Sequence, residues 1–252
     1  NEPTYGIFKS TTADAIVKNI TVEGNIVGKL DSFTGSDGNL DYYPVAGIVA
    51  SNGGQIINCI NNAAITGASS AKHIGGIAGK NLLGATIAES FNYGNIATSG
   101  PHAGGISGDN YGTILKCGNN AQIISSTSAV GGISGYSNNS SIYESYNTGF
   151  VKGTGSAGGI SGNCAGACVI TDCFNAGEIQ CSANSVGGIL GLSTSTSDTV
   201  TNSYNIGVVK HNTNDLSFVN GIIGVAKFND KHPDRNVKVE YCYYLGDVAI
   251  AS

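Results

Sequence analysis

The sequence predicts an all-β chain, a right-handed parallel β-solenoid of about eight coils with irregular terminal coils. Three observations predict it. A Gly-Gly-Ile-x-Gly element recurs along the chain, a second element follows it in each copy, and the composition suits short strands joined by tight turns. Of 252 residues 38 are Gly, and only 12% are charged. Ile and Val dominate the aliphatic content. β-branched side chains fit a pleated surface, and Gly is expected to supply positive φ at corners. The right hand follows from the general rule for parallel crossovers.

The first element reads GGIAG at Gly75 to Gly79, GGISG at Gly104 to Gly108, Gly131 to Gly135 and Gly158 to Gly162, and GGILG at Gly187 to Gly191. Weaker copies stand at Gly6-Ile7-Phe8, Gly47-Ile48-Val49 and Gly221-Ile222-Ile223-Gly224. From Gly47 through Gly76, Gly105, Gly132, Gly159 and Gly188 to Gly221 the steps are 29, 29, 27, 27, 29 and 33 residues. Such a period marks a repeat architecture.

The second element is an aliphatic residue, Cys or Ser three positions on, then Asn, a small residue and Ile or Val at successive steps of two. It runs from Ile56-Cys59-Asn61-Ala63-Ile65 through Ile87-Ser90-Asn92-Gly94-Ile96, Ile114-Cys117-Asn119-Ala121-Ile123, Ile142-Ser145-Asn147-Gly149-Val151 and Ile170-Cys173-Asn175-Gly177-Ile179 to Val200-Ser203-Asn205-Gly207-Val209. A last copy, Val239-Cys242-Tyr244-Gly246-Val248, has Tyr244 in the Asn place.

With these two anchors in register the chain resembles the GLUG-motif repeats of bacterial surface and secreted proteins, which also occur outside the protease domain of IgA-specific metallopeptidases. Ile stands here for the Leu of the motif. The resemblance spans about residues 5 to 250 and implies a β-solenoid in an adhesin-like protein. It implies no shared ligand.

An unbroken repeat argues for one elongated domain over residues 1–252. Its first coil, residues 5–26, is degenerate and lacks the Cys-x-Asn element, and an insertion at 27–44 interrupts the period. Regular coils fill 45–209, and a looser coil closes the chain over 210–252. About 28 residues of extended chain give a contour near ~90 Å, enough for a three-sided turn; eight coils at ~4.8 Å spacing make a rod of about 40 Å.

Alternation sets the four positions from Cys/Ser to Ile/Val on one face, assigned inward. Asn61, Asn92, Asn119, Asn147, Asn175 and Asn205 would then form an internal amide ladder at a corner. Cys59, Cys117, Cys173 and Cys242 alternate strictly with Ser. Thiols in this column are two coils apart, about 9.6 Å, beyond the ~7 Å that a disulfide spans. They are expected to remain reduced and buried, and the same spacing denies them a shared metal. Cys164, Cys168 and Cys181 belong to one coil, where Cys164 and Cys168 could close a small surface loop as a disulfide or stay free thiols.

The residue after Cys/Ser forms an outward column of Ile60, Phe91, Gly118, Tyr146, Phe174, Tyr204 and Tyr243. Its aromatic members, Phe91, Tyr146, Phe174, Tyr204 and Tyr243, could stack on sugar rings or simply pack between coils. One position back stand Asn58, Glu89, Lys116, Glu144, Asp172 and Asn202, a solvated charge column. His73 and His102 should stack on adjacent coils, as two solvated rings or as a pair sharing a metal or a proton; no metal site or cofactor is assigned. His211 and His232 have no nameable partner. Asp37 to Asp41 alternates oxygen donors as a calcium loop does but lacks its later ligands, so a polar loop is the simpler account.

Composition excludes some functions. The net charge of -5 gives no basic footprint for nucleic acid, and no apolar window reaches the ~18 residues of a membrane helix. No His-Glu-x-x-His is present, and no carboxylates pair in equivalent positions of adjacent coils, since Asp109 lies between Lys80 and Tyr136 and Lys116 separates Glu89 from Glu144. The expected role is a noncatalytic adhesin-like or spacer module of a larger bacterial surface protein. A carbohydrate-binding module using the aromatic column is one alternative, and a polysaccharide-active β-helix enzyme is another. The partner would be a host or matrix glycan or protein, bound by a monomer outside the cell or at its surface. Because the chain opens inside a repeat and contains no methionine, a signal peptide and anchor are expected outside this stretch.

Overall fold

The computed structural model describes residues 5–28, 32–34, 40–42, 44–67, 71–126, 128–195, 197–212, 218–226 and 237–250. These residues form a β-solenoid, with parallel strands stacked coil on coil. One coil shows the plan. His73–Gly75, Ala78–Asn81, Thr86–Ala88, Phe91–Asn92 and Ile96–Thr98 follow one another around it. Each pairs with its equivalents above and below, giving sheets one to five in that order. Sheet one has seven strands and the other four have eight. A separate antiparallel pair, Ser32–Thr34 with Leu40–Tyr42, lies within the insertion.

The register follows the repeat. Ile87 pairs with Ile56 and Ile114, Asn92 with Asn61 and Asn119, and Ile96 with Ile65 and Ile123. The first coil follows the same register with apolar substitutes, Val17 against Ile56 and Val22 against Asn61. Its second element is therefore present in position although its Cys and Asn are not. The last coil sets Tyr244 against Asn205.

A regular coil has five short sides rather than the three expected, and three of the corners between them are set by repeated residues. The residue ending sheet three takes a left-handed conformation: Asn19, Asn58, Glu89, Lys116, Glu144, Asp172, Asn202 and Tyr241 have φ between 47° and 59°. That conformation costs an L-residue roughly 1–2 kcal/mol. Its backbone N–H is used in return: Glu89 donates to Leu115 O at 3.0 Å and Lys116 to Tyr143 O at 3.1 Å, on the next coil. The corner after the Asn column is closed by Gly or Ala, since a Cβ at Gly94 would lie 1.9 Å from Ala63 O.

The third corner is Gly-Gly-Ile-x-Gly, and its glycines are needed for close approach, not for positive φ. A Cβ on Gly104 would meet Ser107 O at 2.1 Å, and one on Gly108 would meet Ile74 N at 2.4 Å. Sheet two thus turns sharply off sheet one with bare backbone between them. The second Gly faces inward: a Cβ on Gly105 would lie 2.2 Å from Gly132 O and 2.4 Å from Asn119 Cγ. The same contact joins Gly76 to Asn92, Gly132 to Asn147 and Gly159 to Asn175. The two sequence anchors therefore meet across the interior and form a waist. On one side Ile77, Ile106, Ile133 and Ile160 pack with Ile87, Ile114 and Cys117. On the other, Ile96, Ile123 and Val151 pack with Ile74, Ala103 and Val130. The apolar interior is two columns running the length of the stack.

Candidate functional site

The Asn column makes a continuous amide ladder. Asn61, Asn92, Asn119, Asn147 and Asn175 each donate Nδ2–H to the Oδ1 of the next, at 2.7 to 2.8 Å. Each Nδ2 also donates to the carbonyl two residues on, such as Gly94 O at 3.1 Å for Asn92. All six from Asn61 to Asn205 are fully buried, so these donors have no water to turn to. A second ladder lies five residues after the second Gly of each copy. Thr11 donates to Asn52, Asn52 to Asn81 and Asn81 to Asn110, at 2.9 to 3.0 Å. It stops where Ser137 succeeds Asn110, leaving the buried Asn110 Nδ2 without a hydrogen bond. The sequence signal for this ladder is the equal offset of Asn52, Asn81 and Asn110 from their glycines, which the two repeated elements do not include.

Cys59, Cys117 and Cys173 are buried free thiols, and Cys242 is a half-buried one. Ser90, Ser145 and Ser203 accept the backbone N–H of Cys59, Cys117 and Cys173 through their hydroxyl oxygens at 3.1 to 3.2 Å. Their own hydroxyls donate to Ala88, Tyr143 and Thr201 carbonyls. Burial pushes the Cys117 and Cys173 thiols up to about 12. Of the two alternatives for Cys164 and Cys168 the structure has free thiols, and they are buried rather than at the surface: Cys164 points inward from sheet two and Cys168 donates its thiol to Ala165 O. Cys181 is buried, with its thiol on Gly155 O at 2.8 Å. His211, given no partner from sequence, is fully buried with Nε2 2.8 Å from Asn184 O. His232 and Asp37 to Asn39 lie outside the described residues.

The outward aromatic column is stacked. Tyr146 and Phe174 are 5.2 Å apart at 9°, Phe174 and Tyr204 5.2 Å at 8°, and Tyr204 and Tyr243 5.0 Å at 2°. Phe91 is set off by Gly118, over which the Tyr146 ring folds, and meets Tyr146 tilted at 6.4 Å. Phe174 and Tyr204 thus spend both ring faces on each other and their neighbours. What they offer outward is ring edges and the Tyr hydroxyls.

A cluster of titratable side chains lies in the angle between the outer faces of sheets one and two. His73 pairs in register with His102, and their rings are 5.7 Å apart. Asp109, on the strand Ser107–Asn110, turns into the same angle and is 1% exposed. His102 Nδ1 lies 2.6 Å from Asp109 Oδ1 and His73 Nδ1 2.8 Å from Oδ2. The His73 nitrogen is off the line that a hydrogen bond requires and is buried without one. Tyr111 donates its hydroxyl to Asp109 Oδ2 at 3.2 Å, and Tyr136 stacks on His102 at 4.9 Å. Burial alone would raise Asp109, but the hydrogen bond from His102 and the adjacent His73 outweigh it and hold the carboxyl well below its ordinary range. Burial lowers His73, with Asp109 opposing. Sequence columns place Asp109 between Lys80 and Tyr136, as the register has it. They do not show the carboxylate facing two imidazoles across a corner, because that needs the sharp turn at Gly104. Tyr111 also lines an open depression of about 680 Å³ with Leu82, Leu83, Asn138 and Asn139.

Among solved structures the chain is similar to a protein described as "a putative immunoglobulin A1 protease from Bacteroides ovatus", with a TM-score of 0.60 and 21% identity over 87% of this chain and 68% of that one. That likeness is one of fold. No protein-family model and no curated protein matches the chain. No described helix is long and apolar enough to cross a membrane.

Proposed function

We propose that this chain is a noncatalytic module of a bacterial surface or secreted protein, a solenoid that spaces and presents contact surface outside the cell. The observation that carries the reading is the waist: in coil after coil both repeated anchors are consumed by Gly–Asn contacts and the amide ladder. What recurs in the sequence therefore serves stacking, and stacking by repeats makes an extended scaffold. The GLUG-like anchors and the fold shared with a protein described as "a putative immunoglobulin A1 protease" support a place in the nonproteolytic part of such a protein. Host or matrix glycans and proteins are the partner classes this role implies, and a monomer suffices for it.

A carbohydrate-binding role is the second reading, favoured by the four-ring stack from Tyr146 to Tyr243. Since the inner faces are already stacked, sugars would meet ring edges and hydroxyls, with Phe91 and the outer face of Tyr243 as the freer platforms. The experiment is binding of the purified domain to a glycan and host-matrix array, with hydrolase and lyase screens on the same polysaccharides. Saturable binding without turnover supports the module, and its loss in a Tyr146→Ala, Phe174→Ala double variant assigns it to the column. Turnover of any polysaccharide would overturn the noncatalytic reading.

A further inference from the structure

We propose that His73, His102 and Asp109 form a binding site for a divalent transition-metal ion of the zinc class. The three side chains come from adjacent coils and two sheets, and their donor atoms all lie within 4.8 Å of one another. Among the described residues this convergence occurs once. In sheet one the column runs His73, His102, Ala129, Ser156. In sheet two it runs Lys80, Asp109, Tyr136, Asn163. No scaffold requirement is met by placing two imidazoles and a carboxylate at this one level, since the coils on either side stack without them.

The donor set selects the ion. Two ring nitrogens and one carboxylate oxygen suit zinc and its neighbours in the transition series, whereas calcium and magnesium prefer all-oxygen shells. Three protein donors leave a position for water or a partner's side chain. The buried His73 nitrogen supplies an independent pointer. It sits 2.8 Å from a carboxylate oxygen in an ionic contact that lacks hydrogen-bond geometry, so a directed bond from this nitrogen is still to be made. Two donors on one zinc stand about 3.3 Å apart. An ion seated here takes the place of the protons in the two His–Asp contacts and parts them by a few tenths of an ångström.

The surroundings fit as well. Tyr111 fixes the second oxygen of Asp109, and Tyr136 holds the His102 ring by stacking, the kind of support that orients metal ligands. The His102 side chain is 23% exposed and provides the way in. Lys80 opposes the ion, since its positive charge stands beside Asp109 in register.

The test is titration calorimetry of the chelator-treated protein with zinc chloride, together with absorption spectra of the cobalt form and with calcium and magnesium chlorides as controls. The expected result is one saturable zinc site and a cobalt spectrum without thiolate charge transfer. Affinity should fall at least ~10-fold in His102→Ala and in Asp109→Asn, about 10-fold in Tyr111→Phe, and rise in Lys80→Gln. His102 is partly exposed, so its variant keeps the fold even if Asp109→Asn does not. The proposal is overturned if zinc fails to saturate near one equivalent, if His102→Ala binds as tightly as the parent, or if Cys242→Ser abolishes the cobalt signal.

Discussion

Gly105 and Asn119 touch across the interior, so close that a Cβ on the glycine would lie 2.4 Å from the Asn119 side-chain carbon. Residues fourteen apart in sequence thereby fix the width of the coil at its waist. Gly105→Ala must displace either the Asn ladder or the Gly132 carbonyl, and a loss of about 3 kcal/mol or more is expected. Gly84→Ala is the control: nothing lies within 4 Å, and only its φ of +80° is strained, so about 1–2 kcal/mol should be lost. Chemical denaturation of the two variants checks the difference.

Asn119→Ala removes one rung and leaves the Asn92 Nδ2 and the Asn147 Oδ1 without their ladder partners. Each stranded buried group costs about 1–3 kcal/mol. Asn205→Ala, at the C-terminal end of the ladder, strands only the Asn175 Nδ2. The interior variant should therefore be the less stable by roughly one such increment, read as the difference between two unfolding midpoints.

The sequence made these columns legible because a solenoid converts a linear repeat directly into vertical contacts. Asn61 to Asn205 and the rings from Tyr146 to Tyr243 could be placed by counting alone. What counting could not supply is how the chain bends between columns. The five-sided coil, the waist and the meeting of His73 and His102 with Asp109 all depend on corners. One of those corners is built from Glu89, Lys116 and Glu144 in left-handed conformation, residue types that do not advertise it. The glycines of the strong Gly-Gly-Ile-x-Gly copies, by contrast, are visible in the sequence but serve close approach and not the positive φ expected of them.

That corner is open to test at Lys116, whose φ is 53° and whose contact with Glu144 is 3.7 Å between half-exposed groups. Such a pair is worth at most about 1 kcal/mol. Lys116→Gly should therefore leave thermal stability within about 1 kcal/mol or raise it. Lys116→Val, β-branched in the left-handed region, should lower it by more than ~1 kcal/mol.

The buried thiols predict both reactivity and pH dependence. Cys242 should react first with an aqueous thiol reagent, and Cys117 and Cys173 only on unfolding. Their native values near 12 lie above the ~8.5 of an unfolded thiol. The unfolded state thus releases protons first, so this contribution to stability is intact below about pH 8.5 and declines as pH rises towards 12. Cys117→Ser, Cys173→Ser should flatten that alkaline decline and keep the fold, since Ser already occupies the same site in alternate coils. An unchanged slope would count against burial as the cause.

The whole account rests on which faces of the coil point inward, and the most direct measurement compares Ile133→Asp with Glu144→Ala by urea unfolding. Ile133 is completely buried in the larger apolar column, and an unpaired carboxylate there has neither water nor partner. The account predicts that Ile133→Asp abolishes cooperative unfolding, while Glu144→Ala, on the exposed corner, shifts the midpoint by less than about 0.5 kcal/mol equivalent. A cooperative transition of normal midpoint in Ile133→Asp would contradict the assignment of faces.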